Sequence, residues 1–425
     1  MLKRNAKMTK NEKRKLTLQK TKEKRKSQVC KVYEVKVDKS SLSKEKTEHL
    51  NRLFLEAKWL YNHILSQENI FKIDCKVKKV QIMNKDKQFE EREFKHLSSS
   101  MKQNIYKRIL TSIKSLTTTK KKGKKVGKLK FKSNISSIPG IFNLMRVECF
   151  KKCFRVRGLD QIPKESEIAC IKLIRKNSDY YFHITTFQSK KEQIKTKQYI
   201  STDFGIKQTF NFSNGVKVDV KIKESKRIKK TQQKIARQEK HSKNRFKNRL
   251  KLQKAYDKRD NQKEDICNKI VSYLNTNFDY ICVQNDNIAG WQRLYGKKIN
   301  ASIIGRTLSR LELLPKTIIV PRFFPSTQLC PMCSCKTKLS LSERIFKCSN
   351  CGFEEDRDVK AAKMIELEGL KQVKELVPME YGELTLVENK TSTSMFEYFK
   401  TIPNVEASLC SLKQEDSLES VHSHL

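Results

Sequence analysis

Two cysteine pairs place the tightest local constraint on this chain. Cys330-Pro-Met-Cys333 and Cys348-Ser-Asn-Cys351 each separate two thiols by two residues, and fourteen residues lie between the pairs. A two-residue gap lets both sulfurs face one ion while nearby backbone amides point at them, and two such pairs complete the tetrahedral set that Zn²⁺ requires. A redox dithiol would need only one pair. With all four positions filled by protein the zinc is structural and does not itself catalyse. Cys335 is an adjacent spare thiol. The remaining nine of the thirteen cysteines lack ligand spacing, so one metal site in a reducing compartment fits better than a disulfide scaffold.

Charge restricts the partner. Lys and Arg outnumber Asp and Glu 92 to 46, a net charge of +46 on 425 residues. A compact chain with that excess repels itself unless a polyanion binds it, and nucleic acid is the natural candidate. A lysine-rich surface that serves only solubility would normally carry more balancing carboxylates. No apolar run approaches the length of a membrane span, and the start MLKRNAKMTKNEKRKL continues into more charge instead of an apolar signal core. No membrane role is expected, and a bacterial, nucleoid-associated cytoplasmic location is.

Residues 1–28 form a basic run expected to be disordered. KVYEVKVDKS reads as a strand with Val32, Val35 and Val37 as apolar members. From Leu42 the period becomes helical. Leu50, Leu53, Phe54, Ala57, Leu60, Tyr61 and Ile64 mark one buried stripe, and Ile105, Ile109, Ile113 and Leu116 mark a second helix. A basic, Gly-punctuated connection follows, then short β-like runs (RVECF, CFRVRG, IACIKLIRK, YYFHITTF) that predict a β-barrel or sheet interrupted by the helical insert. Beyond Lys197, two apolar strands flank Ser213-Asn214-Gly215, a hairpin signal. A very basic helical stretch runs from Lys221 to Leu274, either a solvated surface or one that touches phosphates. Next come one buried strand in DYICVQNDNIAGW, a helix from Ile303 to Leu314, a strand in TIIVPRFF, the cysteines, and a helix from Val359 to Leu376. The Ser/Thr-rich tail from Val387 reads as loose.

Three acidic positions are candidates for chemistry. Asp203 ends the apolar run YIST and precedes Gly205, so its carboxylate emerges at a strand end beside a tight backbone. Such carboxylates bind Mg²⁺ where others converge on them. Asp-Phe-Gly also occurs in kinases, but the other kinase motifs are missing. Asp356 and Asp358 follow the second cysteine pair, and Asp358 falls in the first turn of a helix whose Ala361 and Ala362 permit close packing. A helix N-terminus stabilises a carboxylate, and simple capping explains either residue equally well. In YICVQNDN, Cys282, Gln284 and Asp286 alternate onto one strand face, which makes Asp286 a possible third carboxylate. It is equally a turn residue at the strand's end.

In this order, Thr202-Asp203-Phe204-Gly205-Ile206-Lys207, VQNDNIAGW, RFFPSTQLCPMC and CSNCGFEEDRDVKAAKMI resemble the TnpB nucleases of IS200/IS605- and IS607-type transposons, relatives of the compact type V CRISPR nucleases. VYEVKVDKSSLSKEKTEHLNRLFLEAKWLYN is similar too, so the likeness covers nearly the whole chain. The resemblance implies an α/β protein with an RNase H-like (RuvC) nuclease core at 198–324 and 356–384, into which a zinc ribbon at 325–355 is inserted. It implies a β-barrel wedge domain at 29–41 and 126–197, a helical recognition insert at 42–125, a disordered segment at 1–28 and a flexible tail at 385–425. It further implies a guide RNA from the transposon end, double-stranded target DNA with a short flanking motif, and Mg²⁺-dependent cleavage by Asp203, a residue of the VQNDN strand and Asp358. The oligomeric state is left open.

The family's commonest motif has glutamate where Gln284 stands. A subset similar to this chain has Gln-Asp-Glu-Asn, with glutamate where Asp286 stands, so this chain resembles that subset with the side chain one methylene shorter. Lys360 replaces the usual asparagine. Metal geometry is exacting, so a guided DNA-binding protein without cleavage is the alternative function. A zinc-ribbon RNA-binding protein whose acidic residues only cap helices is a further one. Trp291 and the basic stretch from Lys221 are candidates for stacking and phosphate contact, with core packing the commoner role for a tryptophan.

Overall fold

The computed structural model describes residues 9–84, 88–140, 155–177, 179–190, 198–222, 224–340, 343–373 and 388–410. The chain divides into two compact units, Met1–Glu192 and Gln193–Leu425. Among the described residues no helix is long and apolar enough to cross a membrane.

The first unit contains α1 (Lys10–Lys26), β1 (Gln28–Val37), α2 (Lys44–Ser66), β2 (Lys79–Met83), β3 (Phe89–Glu93), α3 (Ser99–Lys121), β4 (Ser137–Pro139), β5 (Val156–Arg157), β6 (Glu167–Lys176) and β7 (Asp179–Ser189). β1 pairs along nearly its whole length with β7, so the helices and the β2–β3 hairpin interrupt one antiparallel sheet in sequence. Period-two alternation turns Val35 and Val37 into the core, whereas Val32, on the opposite face, is 58% exposed. The α2 stripe is buried as its spacing predicts, together with Ile105 and Ile109 of α3. Ile113 and Leu116 are only half-buried, because α3 runs on past the core.

Two expectations for this unit fail. The sheet runs in the open order β4-β6-β7-β1-β5, and among the described residues no closed barrel forms, since its edge strands are only two and three residues long. RVECF and the start of CFRVRG lie outside the described residues. The basic segment expected to be disordered forms α1. Thr9 and Glu12 close a capping box at its start, and at its end Arg25 pairs with Glu167 and lies over the Phe187 ring at 3.7 Å. Local capping plus one docked arginine outweighs the charge repulsion that composition alone emphasises.

The second unit contains β8 (Tyr199–Phe204), β9 (Phe210–Phe212), β10 (Val216–Val220), α4 (Lys226–Arg237), α5 (Lys243–Asn277), β11 (Tyr280–Gln284), α6 (Ile288–Ala301), α7 (Ile304–Leu311), β12 (Thr317–Val320), β13 (Ile345–Lys347), β14 (Glu354–Asp356), α8 (Arg357–Leu370), α9 (Glu388–Lys400) and β15 (Val405–Leu409). The six-stranded sheet has the order β12-β11-β8-β9-β10-β15. β8, β11 and β12 are parallel, and the other pairings are antiparallel. Gly215, at φ +80°, closes the β9–β10 turn in the backbone region that glycine adopts most readily.

Helices cover both faces. On one, Ile266, Ile270 and Leu274 of α5 and Ile304, Leu308 and Leu311 of α7 join Phe210, Phe212 and Met395 in the main core. On the other lies α8, held close by small residues: a Cβ added at Gly369 would fall 2.5 Å from Cys282 Sγ. The expected basic helix from Lys221 breaks at residues 238–242 into α4 and α5, with His241 at φ +71° and Arg245 donating back to the Ile235 carbonyl. The tail expected to be loose is structured from Glu388 to Cys410. Phe399, Ile402 and Val405 are buried and β15 completes the sheet, so apolar spacing prevails over Ser/Thr-rich composition.

Candidate active site and metal centre

The two cysteine pairs fold as two matching turns. Ser334 donates its amide to the Cys330 carbonyl at 3.0 Å and Gly352 to that of Cys348 at 3.1 Å. Both residues have positive φ, +57° and +75°. Each loop therefore turns tightly enough to aim its thiols inward. The ligand atoms of Cys330, Cys333, Cys348 and Cys351 all lie within 4.8 Å of one another, and the Cys330–Cys351 and Cys333–Cys348 sulfurs are each 3.5 Å apart. Tetrahedral Zn–S bonds of ~2.3 Å need sulfurs ~3.8 Å apart, so the set fits zinc. Amide donation from Cys351 brings the Cys348 thiol down to about 6, while burial pushes the Cys330 thiol up to about 12. Metal binding must therefore displace a proton from at least one well-buried thiol. Cys335 stands outside the set.

Asp203 and Asp286 lie at and just beyond the carboxyl ends of the parallel strands β8 and β11, and Asp358 lies at the start of the helix packed on that sheet. β8 and β11 run side by side, with Thr202 opposite Val283, so Asp203 and Gln284 lie one step further along neighbouring strands. Asp286 follows just beyond β11, and Asp358 sits in the first turn of α8, whose Ala362 carbonyl accepts from Ser201 Oγ two residues before Asp203. Burial, and then the like charges of Asp286 and Asp358, push the Asp203 carboxyl well above the usual range, against the pull of Arg357 and Lys360. Burial raises Asp286 to about 6, opposed by Arg322. Asp203 thus feels the charges of both other carboxyls.

The capping alternatives separate cleanly. Asp356 caps α8, accepting from the amides of Asp358 and Val359 at 3.1 Å each, and it pairs with Lys217 at 2.6 Å. Asp358 is left for Arg357 at 3.2 Å and Arg344 at 3.3 Å. Asn287 caps α6, accepting from Gly290. Asp286 is a turn residue in its backbone while its side chain belongs to the acidic group. Trp291 packs half-buried against the main core.

Sequence reading missed the polar framework around this group. Gln284 Nε2 donates to the carbonyls of Pro321, Arg322 and Phe324, and Gln284 Oε1 accepts from Ser326 Oγ. Lys360 is fully buried. Its ammonium donates to the carbonyls of Ser326 at 3.0 Å and Leu329 at 2.9 Å and lies 3.9 Å from the Phe346 ring centre. Burial lowers it to about 8. Asn211, in register opposite Asp203, has a buried amide oxygen with no partner. The only advance signals were negative ones, amides and a lysine in strongly apolar surroundings.

Residues 182–293, which include Asp203 and Asp286, match the family model described as "Probable transposase" (OrfB_IS605). Residues 315–365, which include the four cysteines and Asp358, match the "Cas12f1-like, TNB domain" model. A transposase segment leading into such a ribbon defines the class. Together these matches support a TnpB-type protein. A Streptomyces pristinaespiralis protein named "Putative RNA-guided DNA endonuclease" is 26% identical over 188 residues, covering 41% of this chain and 46% of that protein. The chain thus aligns with about half the length of this curated relative. A structure titled "Cryo-EM structure of the Cas12f1-sgRNA-target DNA complex" superposes with a TM-score of 0.43 and 12% identity over 86% of this chain and 89% of the other.

Proposed function

We propose that the protein is an RNA-guided DNA endonuclease that hydrolyses phosphodiester bonds at Asp203, Asp286 and Asp358. The observation that carries this reading is that Asp203, at the carboxyl end of a parallel strand, feels the like charges of Asp286 and Asp358 from two remote segments, at a common ligand-binding position in α/β folds. An antiparallel β8-β9-β10 meander followed by parallel β11 and β12 supports an RNase H-like (RuvC) core. The charge of +46 supports binding of a guide RNA and a DNA target, the RNA deriving from the transposon end and the double-stranded DNA carrying a short flanking motif. The site of action is the bacterial cytoplasm.

Asp203, Asp286 and Asp358 would hold Mg²⁺, because a cation would offset the burial and the like charges that raise the Asp203 carboxyl. Bound there, Mg²⁺ supplies activation of a water and stabilisation of the departing 3′ oxygen. Arg344 and Arg357 hold the Asp358 carboxylate in place, and the small face of α8 lets that helix approach β8. The zinc held by the four cysteines would be structural.

A guided DNA-binding protein with impaired cleavage is the second reading. The strand position beside Asp203 is filled by Gln284, whose amide is fully engaged elsewhere, and the acid is supplied from past the strand by the short side chain of Asp286. The test is cleavage, in Mg²⁺, of a plasmid bearing the matching target by the protein with its copurified RNA. We expect linear product and its loss by more than ~100-fold in Asp203→Asn, beyond the range reached by removing an outer-shell partner. Asp286→Glu should accelerate cleavage if reach is limiting. Target binding without any nicking would overturn the endonuclease reading, and an Asp286→Ala variant as fast as the parent would remove Asp286 from the site.

A further inference from the structure

The turn after β12 is held more firmly than its own contents explain. Three carbonyls in Pro321–Phe324 accept from Gln284 Nε2 at 3.3, 3.1 and 2.8 Å, Phe324 N donates to Pro321 O at 3.1 Å, and Ser326 N donates to Phe324 O at 2.9 Å. Arg322 Nε donates to the Asn285 carbonyl at 3.1 Å, one residue before Asp286. Two consecutive phenylalanines on this turn have opposite fates. Phe324 packs against Cys282, Val320, Ile365 and Leu370, whereas Phe323 is 90% exposed. Backbone constraint of this kind fixes where the Phe323 side chain leaves the chain and leaves the residue 90% exposed.

We propose that Phe323 is a stacking platform for a base of the single DNA strand led to Asp203, Asp286 and Asp358. The proposal rests on the endonuclease reading, since it assigns a contact to the strand that is cut. An unpaired base offers a flat π-face that a rigid exposed ring can cover regardless of sequence, and basic side chains beside the ring take the phosphates. Arg322 and the wider positive charge of the chain supply the second element. An apolar peptide would fit poorly here, because the residue next to Phe323 is the cationic Arg322, where such a partner needs apolar area. Gln284 becomes a positioning residue, its amide spent on the turn that presents the ring.

The experiment uses the full chain with its copurified RNA and the variants Phe323→Trp, Phe323→Tyr, Phe323→Leu and Phe323→Ala. The probe is a short oligothymidylate, with an oligouridylate of equal length as the competing arm and Trp59 and Trp291 as the fluorescence background. We expect the DNA probe to quench the indole emission that Phe323→Trp adds to that background. Leu and Ala should bind the probe ~10-fold more weakly and raise the KM for a single-stranded substrate by a similar factor at unchanged kcat, with Tyr and Trp matching the parent. Unchanged zinc content and thermal unfolding would show that the fold is intact, and if Leu or Ala misfolds, the quench in Phe323→Trp decides alone. Leucine binding as well as phenylalanine, or an emission from Phe323→Trp that the DNA probe leaves unmoved, overturns the proposal, as does quenching by RNA and not DNA. Quenching by DNA in a protein that never cuts overturns the endonuclease reading and keeps this contact, while cutting without quenching does the reverse.

Discussion

The four cysteines come from one short stretch, Cys330–Cys351, and lie close together, whereas Asp203, Asp286 and Asp358 come from three remote segments related only through the folded sheet. The thiols gain from proximity once an ion is present, and the turns that aim them are local. Asp203 instead feels the like charges of Asp286 and Asp358, which are carried by the segment past β11 and by α8. On the proposed reading both regions take a cation, which would hold the fold of the ribbon and would favour the charged form of the acidic residues. The first dependence is one of stability and the second one of chemistry.

Removing zinc should have the largest effect and would break this contrast if it did not. The cluster beneath the ribbon has Phe346 as its one large, fully buried side chain, far too little apolar area to hold a hairpin together. Structural zinc binding supplies on the order of 10 kcal/mol. Chelation, or Cys348→Ser, should therefore make residues near Cys330–Cys351 susceptible to limited proteolysis while the strand signal of the main sheet persists in circular dichroism. A ribbon that resists protease without metal would mean that its fold does not depend on the ion.

Lys360 tests whether the two regions are independent. It stands two residues after Asp358, yet its ammonium binds the carbonyl preceding Cys330 and lies over Phe346 within the ribbon. Lys360→Met keeps much of the stem but leaves the carbonyls of Ser326 and Leu329 without a donor, at ~1–3 kcal/mol each. Part of that is offset because a buried charge is also removed. The net expectation is a loss of about 2 kcal/mol, faster zinc transfer to a competing chelator, and slower target cleavage. Slower cleavage with unchanged zinc release would mean that Lys360 serves the acidic end alone.

The same contrast explains what could be read in advance. The four-cysteine cluster is a matter of spacing, so the sequence alone predicts it. Asp203 and Asp358 stand beside local cues, a strand end and a helix start, but the division of labour between Asp356 as cap and Asp358 as free acid depends on which carboxylate faces the exposed amides. Strand alternation carried past its end predicts that Gln284 and Asp286 point alike. In fact the strand stops at Gln284, whose side chain turns to three carbonyls contributed by residues 321–324, and no local pattern contains that information. The α6 helix was missed because Gly290 and Gly296 weaken its helical signal, and α1 and β15 because composition hid a capping box and a short apolar repeat.

Glu366 offers the smallest effect and the finest separation. It lies on α8 two turns beyond Asp358, is fully enclosed, accepts from Ser213 Oγ, and feels Lys363 on its own helix. Burial raises it to about 7 from 4.5, against the pull of Ser213 and Lys363. A carboxyl raised on folding contributes stability that is complete below its unfolded pKa and is lost as pH rises through its folded one, here between about 4.5 and 7. Glu366→Gln keeps the shape and the acceptor but cannot ionise. The variant should therefore match the parent near the acid end of that window and become more stable above it, seen as a rise in the midpoint of urea unfolding. Asp203 is also raised by burial, and its share of the pH dependence should shrink on adding Mg²⁺, because the ion favours the charged carboxylate. The Glu366 share should not respond, since its oxygen is committed to Ser213 within the helix–sheet contact. If Mg²⁺ abolishes the whole pH dependence in the parent, Glu366 belongs to the acidic group and the boundary drawn between structural and chemical carboxyls on α8 is wrong.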